Sequence, residues 1–116
     1  MSTPFNKIFE INDGGRNLDN LSRRIMKANE EAGEINEAYL SVTSITNPKQ
    51  KTWDDVREEA VDLILMSVDI AFTQLPTDNN VTYLELEQTI FDLIDEKLAK
   101  WKEQIDAGND ITQNFK

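Results

Sequence analysis

The sequence contains neither cysteine nor histidine. These absences exclude disulfide bonds, zinc sites of the usual nitrogen and sulfur type, a cysteine nucleophile and a histidine general base. Basic residues are also few, because 12 lysines and arginines stand against 22 aspartates and glutamates, which gives a net charge of −10. A protein with this charge is not expected to bind a nucleic-acid duplex through its phosphates. Any catalysis must therefore use carboxylates, lysines, hydroxyl groups and metal ions.

Hydrophobic runs long enough for a membrane are lacking too. The longest apolar run is too short and too acidic to span a bilayer, and residues 1–13 lack the basic and then apolar pattern of a signal peptide. We therefore expect a soluble cytoplasmic protein with no membrane partner. At 116 residues the chain predicts a single domain with a modest buried fraction, so a partner subunit would help to complete its core.

Strand patterns are weak throughout, and the sequence predicts an all-α, antiparallel helical bundle with short connections. Its three long helices are expected at residues 18–41, from Trp53 to shortly before Pro76, and from about residue 83 to residue 107. The second and third follow Thr-x-x-Asp and Thr-x-x-Glu patterns that resemble capping boxes. We divide the chain into an N-terminal arm (1–17), a helical domain (18–107) and a polar C-terminal tail (108–116).

Apolar residues of the first long helix recur at alternating steps of three and four, which is typical of an amphipathic helix packed against others. They are Leu18, Leu21, Ile25, Ala28, Ala32, Ile35 and Tyr39. Before this helix, a proline and a pair of glycines predict an arm with one short turn around residues 5–9. The phenylalanines of this turn are expected to pack onto a neighbouring helix.

The central helix is apolar on nearly every side, because its only polar residues between Ala60 and Phe72 are Asp62, Ser67 and Asp69. A helix without a solvent face must be covered all round, which three helices cannot do alone. We therefore expect a homodimer or homotetramer that completes the bundle. A buried carboxylate is costly unless it is protonated, paired or bound to a cation. We expect Asp69 to pair with a lysine or arginine that the sequence does not identify.

Four carboxylates form two pairs with the same spacing, Glu31 and Glu34 on the first long helix and Glu59 and Asp62 on the central helix. Side chains three residues apart lie on the same side of a helix, so two adjacent helices can direct all four carboxylates at one point. Such a group repels itself strongly unless cations lie between its members. Oxygen ligands suit Mg²⁺ first and Mn²⁺ second, whereas a di-iron site would need histidine. Gly33 is expected to allow close approach of another element or of a ligand.

The order of these acids matches a two-part pattern. Glu30-Glu31-Ala-Gly-Glu34 fits EExxE, and Glu59-Ala-Val-Asp62, with the apolar residues that follow it, fits ExxD. Together they resemble the all-α nucleoside triphosphate pyrophosphatases, a superfamily that includes MazG, the dimeric dUTPases, the dCTP pyrophosphatases and phosphoribosyl-ATP pyrophosphohydrolase. The resemblance covers most of the helical domain, and the two halves in this order are more specific than either half alone.

This resemblance implies a MazG-like bundle and a Mg²⁺-dependent hydrolase. The implied reaction cleaves a nucleoside triphosphate, or a dNTP, between its α and β phosphates to give the monophosphate and pyrophosphate. The implied metal ligands and catalytic residues are Glu31, Glu34, Glu59 and Asp62. Because the chain has no cysteine or histidine, water is the expected nucleophile.

Four further residues are candidates for substrate binding. Lys97 and Lys100 on the third long helix, and Lys27 one turn before Glu31, are expected to contact phosphates. Each lysine could instead be a solvated surface charge, and Lys27 could form a simple ion pair within its helix. Trp53 is a candidate for stacking on the base, although such residues more often belong to a core or an interface.

A function of another class fits the same fold, namely a non-catalytic, acidic helical interaction or adaptor protein. An adaptor has no need of acids at positions i and i+3 on two different helices beside the core, so the four carboxylates separate the two hypotheses. The structural alternative for Glu59 and Asp62 is a pair of capped or salt-bridged acids near a helix start.

Overall fold

The computed structural model describes residues 3–44 and 50–108, and within these ranges it contains four α-helices and no strand. The helices are α1 (Pro4–Ile11), α2 (Leu21–Thr43), α3 (Trp53–Ala71) and α4 (Tyr83–Asp106), and a 3-10 turn (Leu18–Asn20) leads into α2. The all-α prediction is confirmed. The predicted tail lies outside the described residues except for its first residue, as do residues 45–49 of the loop expected between α2 and α3.

Both predicted capping boxes are present and fix the starts of α3 and α4. The Thr52 side chain accepts a hydrogen bond from the Asp55 amide, and the Asp55 carboxylate accepts one from the Thr52 amide. Thr82 and Glu85 form the same reciprocal pair at α4. The Thr52 amide and hydroxyl, through these hydrogen bonds, lower the pKa of Asp55 below its ordinary value. Each box satisfies backbone donors that a helix start leaves without partners, so local sequence determines both boundaries.

The N-terminal arm is more ordered than the single short turn that the sequence predicts. It forms the eight residues of α1, and the rings of Phe5 and Phe9 each meet Phe72 at a centroid distance of 6.1 Å. The chain then turns at Gly15, whose φ is +78° and whose carbonyl accepts a hydrogen bond from the Gln74 amide at 2.9 Å. A Cβ at Gly15 would lie 2.3 Å from the Phe72 carbonyl oxygen, so this close approach requires glycine. The arm therefore packs against the end of α3, as expected.

Helices α2 and α3 pack against each other in antiparallel orientation. Arg24, near the start of α2, forms an ion pair with Asp69, near the end of α3. At the opposite end the rings of Tyr39 and Trp53 lie 6.1 Å apart. These two contacts fix which residues of the two helices face one another.

The buried side of α2 is rotated by one residue from the predicted apolar seam. Ile25 and Tyr39 of that seam are 46% and 48% exposed, whereas Glu31 and Ala38 are buried. The prediction was wrong at these seam positions because two inward positions of α2 hold polar residues, Arg24 and Glu31. An apolar periodicity cannot detect them, and it selects their hydrophobic neighbours instead.

Within one chain α3 keeps a substantial apolar surface. Only Val68 and Asp69 of this helix are buried, while Val61, Ile64 and Leu65 are exposed. Helices α1 and α2 therefore do not cover α3 all round, as the composition of α3 indicates. The expected second copy stays a prediction.

The chain divides after Asn80 into two compact units, the first containing α1, α2 and α3 and the second containing α4. The helical domain predicted over residues 18–107 spans both. In the second unit, Lys97 and Lys100 are exposed on α4. None of the helices within the described ranges has the length and hydrophobicity needed to cross a bilayer.

Candidate metal centre

Three carboxylates from two helices meet where α2 and α3 pack together. Glu31 and Glu34 of α2 and Glu59 of α3 each place one carboxylate oxygen within 4.8 Å of the other two. The spacing of three residues puts the two α2 acids on one side of their helix, and the antiparallel packing brings the first half of α3 beside them. We call these residues the glutamate triad. It contains three of the four predicted metal ligands.

The glutamate triad extends from the interior to the surface. Glu31 is only 6% exposed, Glu59 is partly buried, and Glu34 is exposed. Exposed acids often cluster without binding anything, but a glutamate as buried as Glu31 is rare unless it is paired. The site therefore has an inner end fixed by packing and an outer end open to solvent.

Two buried oxygens of the triad receive no hydrogen bond from the residues that the structure describes. They are Oε2 of Glu31 and Oε2 of Glu59. A buried acceptor without a donor costs about 1–3 kcal/mol, and native proteins contain few of them. A cation between the two helices would satisfy both oxygens and would reduce the repulsion among the three carboxylates.

The Lys27 side chain is the basic group in contact with the triad. Its ammonium lies 3.2 Å from Oε1 of Glu31 and 3.4 Å from Oε2 of Glu30. The hydrogen bond to Glu31, followed by the one to Glu30, raises the pKa of Lys27 above its ordinary value. The predicted ion pair within the helix is thus present, while the alternative role of Lys27 as a phosphate contact stays a prediction.

Asp62 and Gly33 lie beside the triad without joining it. Asp62 is partly buried one turn after Glu59 on α3, but its oxygens are outside the group that lies within 4.8 Å. A Cβ at Gly33 would meet nothing within 4 Å, so close packing of another element does not explain this glycine. It leaves open space next to Glu34, and the expected approach of a ligand there stays a prediction.

The structure positions the other substrate-binding candidates as follows. Trp53 is exposed at the start of α3 and packs against the Tyr39 ring. It lies about two helical turns before Glu59. Lys97 and Lys100 belong to the second unit, where both are exposed on α4.

A second buried carboxylate of α3, Asp69, shows how the protein treats an acid that it pairs. Arg24 Nη1 lies 3.1 Å from its Oδ2 and donates a 2.8 Å hydrogen bond to Thr73 Oγ1. The Asn17 side chain donates a hydrogen bond to Asp69 Oδ1 at 3.0 Å. The predicted basic partner of Asp69 is therefore Arg24, which the sequence did not identify. Arg24 lies one turn from both Leu21 and Ala28, and this position on the apolar side of α2 was the signal that could have identified it.

The two buried acidic sites of α3 thus differ in kind. Each oxygen of the Asp69 carboxylate receives a donor, and the buried atoms of that network without a partner among the described residues are Arg24 Nε and Asn17 Oδ1. At the triad the buried atoms without a donor are carboxylate oxygens, and they lie among three acids with Lys27 beside them. Oxygen ligands near a solvent-open edge are the arrangement that Mg²⁺ uses when it keeps several water molecules and binds phosphate. Comparisons with known protein families, with curated proteins and with solved structures find no match to this chain.

Proposed function

We propose that this protein is a Mg²⁺-dependent nucleoside triphosphate pyrophosphohydrolase of the MazG-like type, with Mn²⁺ as a possible substitute. The observation that carries the proposal is the glutamate triad. Glu31 and Glu59 belong to two facing helices, and each has a buried oxygen without a donor among the described residues. All three triad residues occupy positions of the EExxE and ExxD patterns. The absence of cysteine and histidine is consistent with a reaction that uses carboxylates and metal.

Each acid has a role that follows from its burial. Glu31 and Glu59 would hold the cation from the protein side, since their oxygens are the buried ones. Glu34, at the exposed end, would face the nucleotide and could accept the proton of the attacking water. Asp62, one turn from Glu59, would complete the ligand set after a change of side-chain rotamer. The bound Mg²⁺ supplies charge neutralisation of the phosphates and acidification of water.

Substrate binding would use residues outside the triad. The exposed face of Trp53 would stack on the base. Lys97 and Lys100 are candidates for the outer phosphates, because an acidic protein needs fixed positive charge to retain a polyanionic product such as pyrophosphate.

A second copy of the chain would cover the exposed apolar side chains of α3. Val61, Ile64 and Leu65 lie on one stretch of this helix and are all exposed, which is the arrangement expected at a subunit interface. We expect a homodimer or homotetramer in solution. Replacing Ile64 with glutamate should produce smaller particles in light scattering, and an unchanged mass would contradict the interface.

The decisive experiment is hydrolysis of the common ribo- and deoxyribonucleoside triphosphates by the purified protein with Mg²⁺. Ion-exchange chromatography separates monophosphate and pyrophosphate from diphosphate and phosphate. Glu59→Gln should lower the rate by orders of magnitude, since it removes a ligand charge and keeps the shape. Glu58→Gln, its exposed neighbour outside the triad, is the matched control. Wild-type rates in Glu59→Gln would refute the site.

The adaptor hypothesis explains the exposed apolar residues equally well. It does not explain why Glu31 and Glu59 bury oxygens without donors next to a third carboxylate. A protein that only binds a partner would be more stable without this repulsion. For this reason we favour the enzyme.

A further inference from the structure

Lys27 contacts the most buried acid of the triad from the solvent side. Its side chain is 52% exposed and lies 3.2 Å from a glutamate that is only 7% exposed at its side chain. The contact uses Oε1 of Glu31, while Oε2 of the same carboxylate is the oxygen without a donor. One carboxylate is thus shared between a half-exposed ammonium group and the space between the helices.

A divalent cation that binds the triad must share Glu31 with this ammonium. Two positive centres on one carboxylate lie only a few ångströms apart, and their repulsion opposes metal binding unless the ammonium moves. Lys27 has a second partner available, because Oε2 of Glu30 lies 3.4 Å from its nitrogen and the Glu30 side chain is 64% exposed. The lysine can therefore leave Glu31 and keep its ion pair with Glu30.

We propose that Lys27 is a positioning residue that acts as an internal counter-ion of the glutamate triad and lowers its affinity for divalent cations. It shifts from Glu31 towards Glu30 when a cation binds. This inference rests on the proposed function only in taking the triad as the metal site. It assigns to Lys27 a role in metal affinity, which is distinct from the phosphate contact that the sequence suggests.

The test measures Mn²⁺ binding to the full-length protein, without nucleotide, by calorimetry and by electron paramagnetic resonance of free Mn²⁺. Lys27→Gln removes the charge and should tighten Mn²⁺ binding by about tenfold. Two buried charges would affect each other more strongly, but solvent screens this half-exposed lysine. Lys27→Arg keeps the charge and should bind as the wild type does. Lys27→Met, which keeps the aliphatic stem, gives the same comparison if the glutamine variant is unstable.

Lys7→Gln is the matched control for the loss of one positive charge. Lys7 lies in α1 and lines a cavity together with Asp69 and Leu65, which are well along α3 from Glu59, so its removal should leave Mn²⁺ affinity nearly unchanged. Equal affinities in Lys27→Gln and Lys7→Gln would overturn the inference. If the wild type still hydrolysed nucleotides with Mg²⁺, the proposed function would stand. Failure of wild type and Lys27→Gln alike to bind Mn²⁺ would overturn both the inference and the metal site.

Discussion

Two carboxylates of α3, Asp69 and Glu59, should respond in opposite ways to the loss of their charge. Asp69 accepts hydrogen bonds from Arg24 and Asn17 on its two oxygens. Glu59 lies within 4.8 Å of two other carboxylates and keeps one buried oxygen without a donor. The same chemical change, from carboxylate to amide, therefore removes an attraction at one site and a repulsion at the other.

Asp69→Asn leaves the buried Arg24 guanidinium without its counter-ion. The two side chains are 12% and 10% exposed, so little solvent is available to compensate. Breaking a buried pair by removing one partner costs about 3–5 kcal/mol. The asparagine oxygen still accepts one hydrogen bond, so we expect about 3 kcal/mol. At about 4 °C for each kcal/mol, the melting temperature should fall by about 12 °C.

Glu59→Gln removes one of three mutually repelling charges. Two unit charges 4 Å apart repel by about 1 kcal/mol in water and by more in a protein. Exposure of Glu34 and the charge of Lys27 reduce this value. In the absence of divalent cations, the variant should thus be as stable as the wild type or about 1 kcal/mol more stable.

Urea unfolding followed by circular dichroism in EDTA measures both effects on the same scale, provided that the slope of the transition is unchanged. Glu58→Gln provides the control for loss of an exposed acid of the same helix. If Glu59→Gln were destabilised as much as Asp69→Asn, Glu59 would be a member of a structural ion pair and the metal site would be refuted. An Asp69→Asn variant as stable as the wild type would show that the Arg24 network does not hold α2 and α3 together.

Three further predictions concern the triad, a helix cap and a turn. Millimolar Mg²⁺ should raise the melting temperature of the wild type through binding to the native state only, and Glu31→Gln should abolish that shift in a calorimetric scan. Hydrogen bonds from Thr52 lower the pKa of Asp55 in the folded state. The stability that this cap contributes is therefore complete above the ordinary carboxyl pKa of 3.8. It is lost as the pH falls through the lower pKa of the folded state. Asp55→Asn should consequently be less stable than the wild type near neutral pH and approach it as the pH falls below 3.8 in urea titrations. Gly15→Ala would place a Cβ 2.3 Å from the Phe72 oxygen at a φ of +78°, so thermal unfolding should begin several degrees lower; an unchanged transition would mean that the arm does not depend on this turn.

The helix boundaries that the sequence predicts best are those determined by neighbouring residues. Both capping boxes are local, because a threonine and an acid three residues later satisfy each other's backbone donors. The starts of α3 and α4 are accordingly as predicted. The end of α3, by contrast, is not determined by neighbouring residues. It comes at Ala71, before Pro76, because Phe72 and Gln74 contact the N-terminal arm from far away in sequence.

The same distinction explains why the clustering of the triad carboxylates was predicted more accurately than the buried face of α2. The spacing of Glu31 and Glu34 predicts that their side chains lie together, and this prediction depends only on the helix itself. The inward position of Arg24 depends on Asp69, which lies far along the chain on another helix. A pattern of apolar residues contains no information about such a partner, so it assigned the seam to Ile25 instead.

The inner stripe of α2 therefore contains two charged residues that its hydrophobicity conceals, Arg24 and Glu31. Burial alone does not separate their roles, because each costs free energy unless it is compensated. Their partners do separate them. Arg24 meets an acid on α3 and the charges cancel, whereas Glu31 meets another acid, Glu59, and the half-exposed Lys27 offsets part of that charge. Packing that brings two like charges together across helices lowers stability, and a bound cation would offset that cost at the triad.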